Sequence, residues 1–360
     1  MGIVAQESIE EIKEKANLVD IIGEAVSLKR RGSSYVGLCP FHAEKTPSFH
    51  VREEKFYHCF GCGESGNVIS FVMRFRGLSF PEAIEELAGR CGVQLKFEKS
   101  GRKNVPLADK QALFKVNALA LAWFSAQLKS APPQVKDYIN SRSLTREALA
   151  AFAIGFAPKE WSALTTFLRA RKVPDEMILR CGLARRSPKG DLFDVFRARI
   201  IFPIFSDSKR VAAFGGRIIP ELLEKEALNQ APKYLNSPES PIYFKSKVLF
   251  GLPQALSAIQ QEREVWIVEG YMDVIGMWQA GIRNAVATCG TALTSEHAKR
   301  LKLLVKKVIL LFDGDDAGRG AAGKAYDAFL NSGIDVCAAF LPQGEDPDSF
   351  VGKEAGAGAI

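Results

Sequence analysis

No stretch of this 360-residue chain stays apolar for the roughly 20 residues a membrane-spanning helix needs, so a helical membrane protein is not expected. A secretion signal is missing as well. Met1-Gly2-Ile3-Val4 opens an acidic amphipathic segment, and Gln6 stands where a myristoylation signal wants Ser or Thr. Cysteine pairing is also absent. Three of the seven cysteines fall in one motif, and Cys91, Cys181, Cys289 and Cys337 are scattered without pairing logic, which argues for a reducing cytoplasm. No internal repeat is visible, so a solenoid is not expected either. Hydrophobic content of 47% and charged content of 25% leave a globular chain long enough for several domains.

Charge is unevenly spread. Lys and Arg exceed Asp and Glu by one over residues 1–110 and by ten over 111–260, and fall short by four over 261–360. A basic block followed by an acidic one suggests a polyanion-binding surface beside a cation-binding site.

The strongest local signal is Cys39-Pro40-Phe41-His42, then sixteen residues, then Cys59-Phe60-Gly61-Cys62. Two ligand pairs with two intervening residues each can close a tetrahedral zinc site, and four protein ligands make it structural. Strands around 49–51 and 56–58, joined by a polar turn, make this a zinc ribbon. His50 and His58 are rival ligands, although His58 precedes Cys59 on a strand and should point away from the metal.

Helical periodicity marks 7–16, 68–75, 81–91 and 109–128, with a polar linker at 98–104. Short helices fill most of 135–183, and strands are expected at 200–205 and 211–215. From Val265 strands at 265–269, 285–288, 308–313 and 336–341 alternate with helices at 272–281, 294–305 and 318–330, which predicts a mostly parallel sheet.

Ligands of such sheets sit at the carboxyl ends of strands, and three acidic clusters fall there. They are Glu269 with Asp273, Asp313-Gly314-Asp315-Asp316, and Asp346-Pro347-Asp348. Crowded carboxylates need cations, and oxygen-only donors favour Mg²⁺ or Mn²⁺. Asp315 or Asp316 could instead cap the following helix. Gly318-x-x-x-x-Gly323-Lys324 imitates a phosphate loop, but Ala325 replaces the metal-binding hydroxyl and the segment reads as helix.

The residues resemble one family along nearly the whole chain. Tyr35-Val36-Gly37-Leu38 before the knuckle and Glu44-Lys45-Thr46-Pro47-Ser48-Phe49 after it resemble the zinc-binding domain of DnaG-type bacterial primases. Glu269-Gly270-Tyr271-Met272-Asp273 with Asp313-Gly314-Asp315-x-Ala317-Gly318 is similar to the Toprim signature. Between them Ala153–Pro158, Arg199–Ile204, Phe214–Arg217 and Pro232–Pro238 match primase segments in order.

The resemblance implies a cytoplasmic DNA primase at the bacterial replication fork, a DNA-directed RNA polymerase that makes primers on single-stranded DNA from ribonucleoside triphosphates. Glu269, Asp313 and Asp315 would be catalytic, and Asp273, Asp346 and Asp348 would complete the magnesium site. Arg142, Arg199, Arg217, Lys233 and Lys245 would line the template and nucleotide groove, with Tyr234 and Asn236 beside it. Tyr35, Phe49 and Tyr57 are candidates for stacking on bases, or core. A non-catalytic zinc and Toprim scaffold of the recombination-mediator type is the alternative.

The expected fold is an α+β multidomain chain. A zinc ribbon occupies 1–98, a linker 99–110, and a basic mixed α/β subdomain 111–256. A Toprim-type α/β subdomain follows at 257–345, and an acidic loop and tail at 346–360. Two departures from the family pattern stand out. The connection between Arg217 and Lys233 is long, with a helix-like stretch at 221–226. The sequence also ends before the helicase-binding domain that the family carries, although a replicative helicase is the implied partner.

Overall fold

The computed structural model describes residues 4–52, 56–78, 80–96, 106–312, 316–329, 333–342, 345–348 and 350. The chain forms two compact units. One comprises Met1–Asn104, Leu256–Glu264 and Lys299–Lys306; the other comprises Val105–Ala255, Val265–Ala298 and Lys307–Ile360.

The N-terminal part of the first unit is an antiparallel meander of five short strands, Lys29–Arg31, Ser34–Gly37, Phe49–Arg52, Phe56–Cys59 and Ser65–Gly66. Alternation puts Phe49, Val51, Tyr57 and Cys59 on the buried face. There Phe49 stacks on Tyr57 at 5.3 Å, and Phe41 and Phe71 close the aromatic cluster. The helices Val68–Arg76 and Phe80–Cys91, with Ile12 of Gln6–Lys15 and Leu18 and Ile22 of Leu18–Gly23, extend this core. Asn67 starts the first of them with a capping box, its side chain accepting from Ile69 and Ser70 N–H while Ser70 Oγ accepts from Asn67 N–H. Gly77, at φ 64°, ends it in a left-handed conformation that glycine adopts without strain.

The second unit holds two larger sheets and the two-stranded ribbon Ala184–Arg186 with Leu192–Asp194. The first is antiparallel, in the order Tyr234–Asn236, Val211–Ile218, Arg199–Phe205, Gly155–Ala157. The 23-residue helix Leu107–Lys129 lies on it with Phe124 against Phe214 and Phe196. Gly155 makes that approach possible, because a Cβ there would stand 2.6 Å from the Phe124 Cβ. Truncating a side chain such as Phe214, fully buried, would cost about 3–5 kcal/mol.

The second sheet runs Leu249–Phe250, Ala285–Thr288, Glu264–Val268, Lys307–Phe312, Asp335–Phe340. Glu264–Val268 pairs parallel with Ala285–Thr288, and Lys307–Phe312 with Asp335–Phe340; the edge strand Leu249–Phe250 pairs antiparallel. The mostly parallel sheet expected from the strand–helix alternation is therefore present.

The 221–226 helix expected in the long connection is displaced. Pro220–Leu222 is a single 3-10 turn, and the α-helix runs Lys225–Gln230. Pro220 fixes the start of that turn, and Leu223 is extended, so the helix begins only past it. Gly318–Lys324 lies within the helix Asp316–Phe329, as its periodicity suggested. The linker at 98–104 lies outside the described residues.

Candidate functional site

The ribbon brings four ligand atoms together. Cys39, His42, Cys59 and Cys62 each offer one within 4.8 Å of the others. Cys39 Sγ lies 3.8 Å from Cys62 Sγ, and Cys59 Sγ 3.8 Å from His42 Nδ1. A tetrahedron with Zn–S bonds of about 2.3 Å has S···S edges of about 3.8 Å, so the donors already stand at zinc spacing. Backbone N–H groups of Phe41 and Cys62 donate to Cys39 and Cys59 Sγ at 3.4 Å, as each two-residue turn requires.

Glu44 organises the surroundings. Its carboxylate accepts from Cys39 N–H at 2.7 Å, Ser48 N–H at 3.1 Å and the Ser48 hydroxyl, and faces His42 Nε2 at 3.2 Å. A carboxylate on the outer ring nitrogen fixes the tautomer that leaves Nδ1 free for metal. Burial acts to raise the Glu44 pKa, but the Ser48 hydroxyl and the two backbone donors outweigh it and hold the carboxyl below its ordinary value. Gly61 is required by space, since a Cβ would stand 2.6 Å from His42 Nε2.

His50 and His58 are paired across neighbouring strands and lie outside this cluster. Both instead flank Phe60, ring centroids at 5.0 and 4.6 Å, and Phe60 is 70% exposed. Of the two readings open for Phe49 and Tyr57, the core one holds. Phe49 and Tyr57 are fully buried in the ribbon core, whereas Phe60, hidden between two ligands in the sequence, offers an open ring.

In the second unit two acidic residues meet at the helix Tyr271–Gln279, Asp273 within it and Asp348 against its Gly276. Glu269 is exposed directly after the strand Glu264–Val268. Asp273 accepts from Gly270 N–H at 2.8 Å, which tightens that strand-to-helix turn. One turn on, Gly276 makes room for Asp348, which lies at the start of a helical turn and not in the expected loop: a Cβ at Gly276 would stand 2.6 Å from Asp348 Oδ1. The Asp348 carboxyl is pushed up to about 6, by burial first and the neighbouring Asp346 charge second, with Arg142 and Arg217 opposing. Asp313 and Asp315 lie outside the described residues.

The basic residues meet this rim. Arg217 donates to the Tyr234 hydroxyl at 2.7 Å, across the strand pair that also opposes Gly215 to Asn236. Burial raises the Tyr234 pKa to about 12; Arg217 lowers it and the Asp273 charge adds to the rise. Asp273, Asp348, Arg142, Arg217 and Tyr234 thus share one electrostatic field. Lys233 is exposed next to Tyr234. Behind Lys245, His297 Nε2 lies 3.1 Å from the Lys245 carbonyl and Thr294 Oγ1 donates to the Ser246 carbonyl at 2.7 Å.

Two expected groove residues have other duties. Arg199 is 4% exposed and donates to the carbonyls of Gly216, Pro232 and Lys233 at 2.8–3.4 Å. It holds the Lys233 hairpin instead of lining a groove, because a buried guanidinium needs acceptors and three backbone carbonyls supply them. Burial lowers its pKa to about 10. The Asn236 side chain is also engaged, accepting from the Tyr271 hydroxyl at 2.8 Å and donating to the Cys289 carbonyl at 3.1 Å.

Sequence reasoning missed Trp161 and Arg197. Trp161 is 66% exposed, with the Arg197 guanidinium 4.1 Å from its ring centroid and Phe193 at 5.9 Å. A lone tryptophan in Lys159-Glu160-Trp161 carries no period, so its partners became visible only through the fold.

Comparison with known proteins agrees along the chain. Family models match for the CHC2 zinc finger at residues 4–103, the N-terminal domain of the DNA primase catalytic core at 123–256, and a Toprim-like domain at 266–351. A DNA primase of Halalkalibacterium halodurans is 41% identical over 97% of this chain, which spans 58% of that relative's length. The crystal structure of the Aquifex aeolicus primase, zinc-binding and RNA polymerase domains, is similar at 35% identity. Its TM-score is 0.62, covering 96% of this chain and 82% of that one. A DnaG primase catalytic domain bound to single-stranded DNA is 35% identical over 69% of this chain and 79% of its own, with a TM-score of 0.62.

Proposed function

Since the chain belongs to the DnaG-type bacterial primases, we propose that it synthesises RNA primers on single-stranded DNA by divalent-metal-dependent nucleotidyl transfer. The observation that carries this reading is the meeting, within one unit, of the acidic rim at Asp273 and Asp348 with Arg142, Arg217 and Tyr234. A polymerase needs opposite charges in that arrangement, one set for metal and one for phosphates. We assign ribbon duties to 1–98, the basic subdomain to 111–256 and the catalytic Toprim part to 257–345, with 99–110 as linker and 346–360 as acidic loop and tail.

In the proposed step a ribose 3′-hydroxyl attacks the α-phosphate of a ribonucleoside triphosphate, and pyrophosphate leaves with the electrons of the broken P–O bond. Glu269, Asp273, Asp346 and Asp348, with Asp313 and Asp315, would supply an oxygen-only donor set suited to a hard cation. Mg²⁺ or Mn²⁺, when bound there, supplies charge neutralisation and a more acidic attacking hydroxyl. Glu269 stands exposed to accept that proton, while Arg217, Lys233 and Lys245 balance the triphosphate charge. The paired Trp161 and Arg197, and Phe60 of the ribbon, give a single strand planar surfaces on which bases stack. A replicative helicase is the partner proposed for the longer relatives' task.

Incubation with a single-stranded template, labelled ribonucleotides and Mg²⁺ tests the proposal. Glu269→Gln and Asp313→Asn should each cut primer synthesis by at least about 100-fold, with DNA binding in EDTA unchanged. Full activity in either variant would remove the catalytic assignment.

A further inference from the structure

Thr294 and His297 open the helix Ser295–Lys302 with a capping box. The Thr294 hydroxyl oxygen accepts from His297 N–H, and His297 Nδ1 accepts from Thr294 N–H, each at 3.2 Å. A glutamate or glutamine in place of the histidine would serve the cap alone. Histidine adds a second nitrogen on the far side of the ring. With Nδ1 engaged as acceptor, the neutral imidazole carries its hydrogen on Nε2 and donates it to the Lys245 carbonyl at 3.1 Å. The Thr294 hydroxyl donates in turn to the Ser246 carbonyl at 2.7 Å. Neither of these two contacts is needed to start a helix.

His297 is fully buried, whereas Lys245 lies in a turn between the strands Tyr234–Asn236 and Leu249–Phe250. Backbone in a turn has no ladder to fix it, so its polar groups rely on side chains. Lys245 is gripped on both sides: its N–H donates to Glu239 Oε1 at 3.0 Å, and its carbonyl accepts from His297. The Lys245 charge acts on the Cys289 thiol, just past the strand Ala285–Thr288. That strand runs parallel to Glu264–Val268, so Cys289 and Glu269 share the carboxyl-end edge of the sheet. We propose that Thr294 and His297 are positioning residues for nucleotide binding: by holding the consecutive carbonyls of Lys245 and Ser246, they keep the Lys245 ammonium at this edge, where it meets the triphosphate. The proposal rests on the nucleotide duty proposed for Lys245 and extends it to the residues behind that lysine. A lysine is a point charge on a flexible stem, so the place of its backbone sets the space its ammonium can reach. A displaced ammonium weakens the bound nucleotide and the transition state alike, so the loss should fall on KM and not on kcat.

The test is primer synthesis by the whole chain on a saturating single-stranded template with Mg²⁺, with KM and kcat for ribonucleotides measured separately. His297→Phe, which fills the ring's space without a donor, should raise KM about tenfold and change kcat less than about twofold. His297→Gln, whose amide can again accept from Thr294 N–H and donate to the Lys245 carbonyl, should bring KM back to within about threefold. Thr294→Val should raise KM about threefold, and serves if His297→Phe fails to fold. In a Lys245→Met background, whose own KM should be raised about tenfold, neither substitution should add more than about twofold. A KM effect that persists in full in that background, a loss confined to kcat, or no change in either constant would overturn the proposal. An unaltered KM in Lys245→Met itself would remove the lysine's nucleotide duty and the proposal with it, while continued primer synthesis would leave the polymerase reading standing.

Discussion

The zinc knuckle and the proposed acidic rim are both sets of polar side chains brought together by the fold, yet they are assembled in opposite ways. In the ribbon, two tight turns each deliver two ligands, and Glu44, only two residues past His42, holds them through hydrogen bonds at 2.7–3.2 Å. In the second unit Glu269, Asp273 and Asp348 come from a strand end, a helix and a distant helical turn, and that turn packs against the helix where Gly276 lacks a side chain. The first site is therefore made by its metal and local turns together. The second arrangement is made by the sheet and its helices alone. A donor set shaped by local chain should lose its structure with its ion, and one carried by a sheet should not.

Removing zinc is the sharpest way to break that contrast. Cys39→Ser, or a zinc-selective chelator, should unfold the ribbon, because structural zinc is worth about 10–16 kcal/mol of apparent binding energy in small domains. Removing Mg²⁺ should abolish synthesis while circular dichroism stays unchanged. Glu44→Gln should weaken zinc about 10–100-fold in a competitive chelator titration, since it disturbs the His42 ring while leaving all four ligands in place. Tyr271→Phe should lower stability by about 1–3 kcal/mol, read by thermal unfolding, by leaving the Asn236 carbonyl oxygen without its donor.

The smallest expected effect is a pH dependence at His297. Burial holds this imidazole below its ordinary pKa, although the Lys245 and Val248 carbonyls oppose the shift. The native ring is then neutral where the unfolded ring begins to protonate, so the unfolded state binds more protons below about pH 6.5. Stability should fall as pH drops through that window, with a slope of at most about 1.4 kcal/mol per pH unit. His297→Gln should flatten this part of a melting-temperature profile between pH 5 and 8.

What the sequence revealed follows the same division. Cys39, His42, Cys59 and Cys62 were legible from spacing because turns of two residues leave little freedom, and Glu269 from its place at a strand end. The parallel sheet was legible because Val265–Val268 and Val308–Phe312 are apolar on both faces. Burial of individual charges was not. Arg199 reads as a template contact by family position, but its neighbours across the sheet are carbonyls. Phe60 and Tyr57 are both aromatic and three residues apart, and only the pleat and the metal turn decide which ring faces water. Trp161 and Arg197 lie far enough apart in sequence that no window joins them.

The Tyr271 ring occupies space that Gly215 leaves open, at 2.3 Å from where a Cβ would stand, and its hydroxyl ties Asn236, which in turn ties Cys289. Four segments separated along the chain are thereby keyed to one another. A chimaera that exchanges the C-terminal half for a relative's would inherit the tyrosine without its keyhole unless the glycine and the asparagine travelled with it. Recombination inside this unit is thus constrained by a lock whose tumblers lie on both sides of any single crossover between residues 236 and 271.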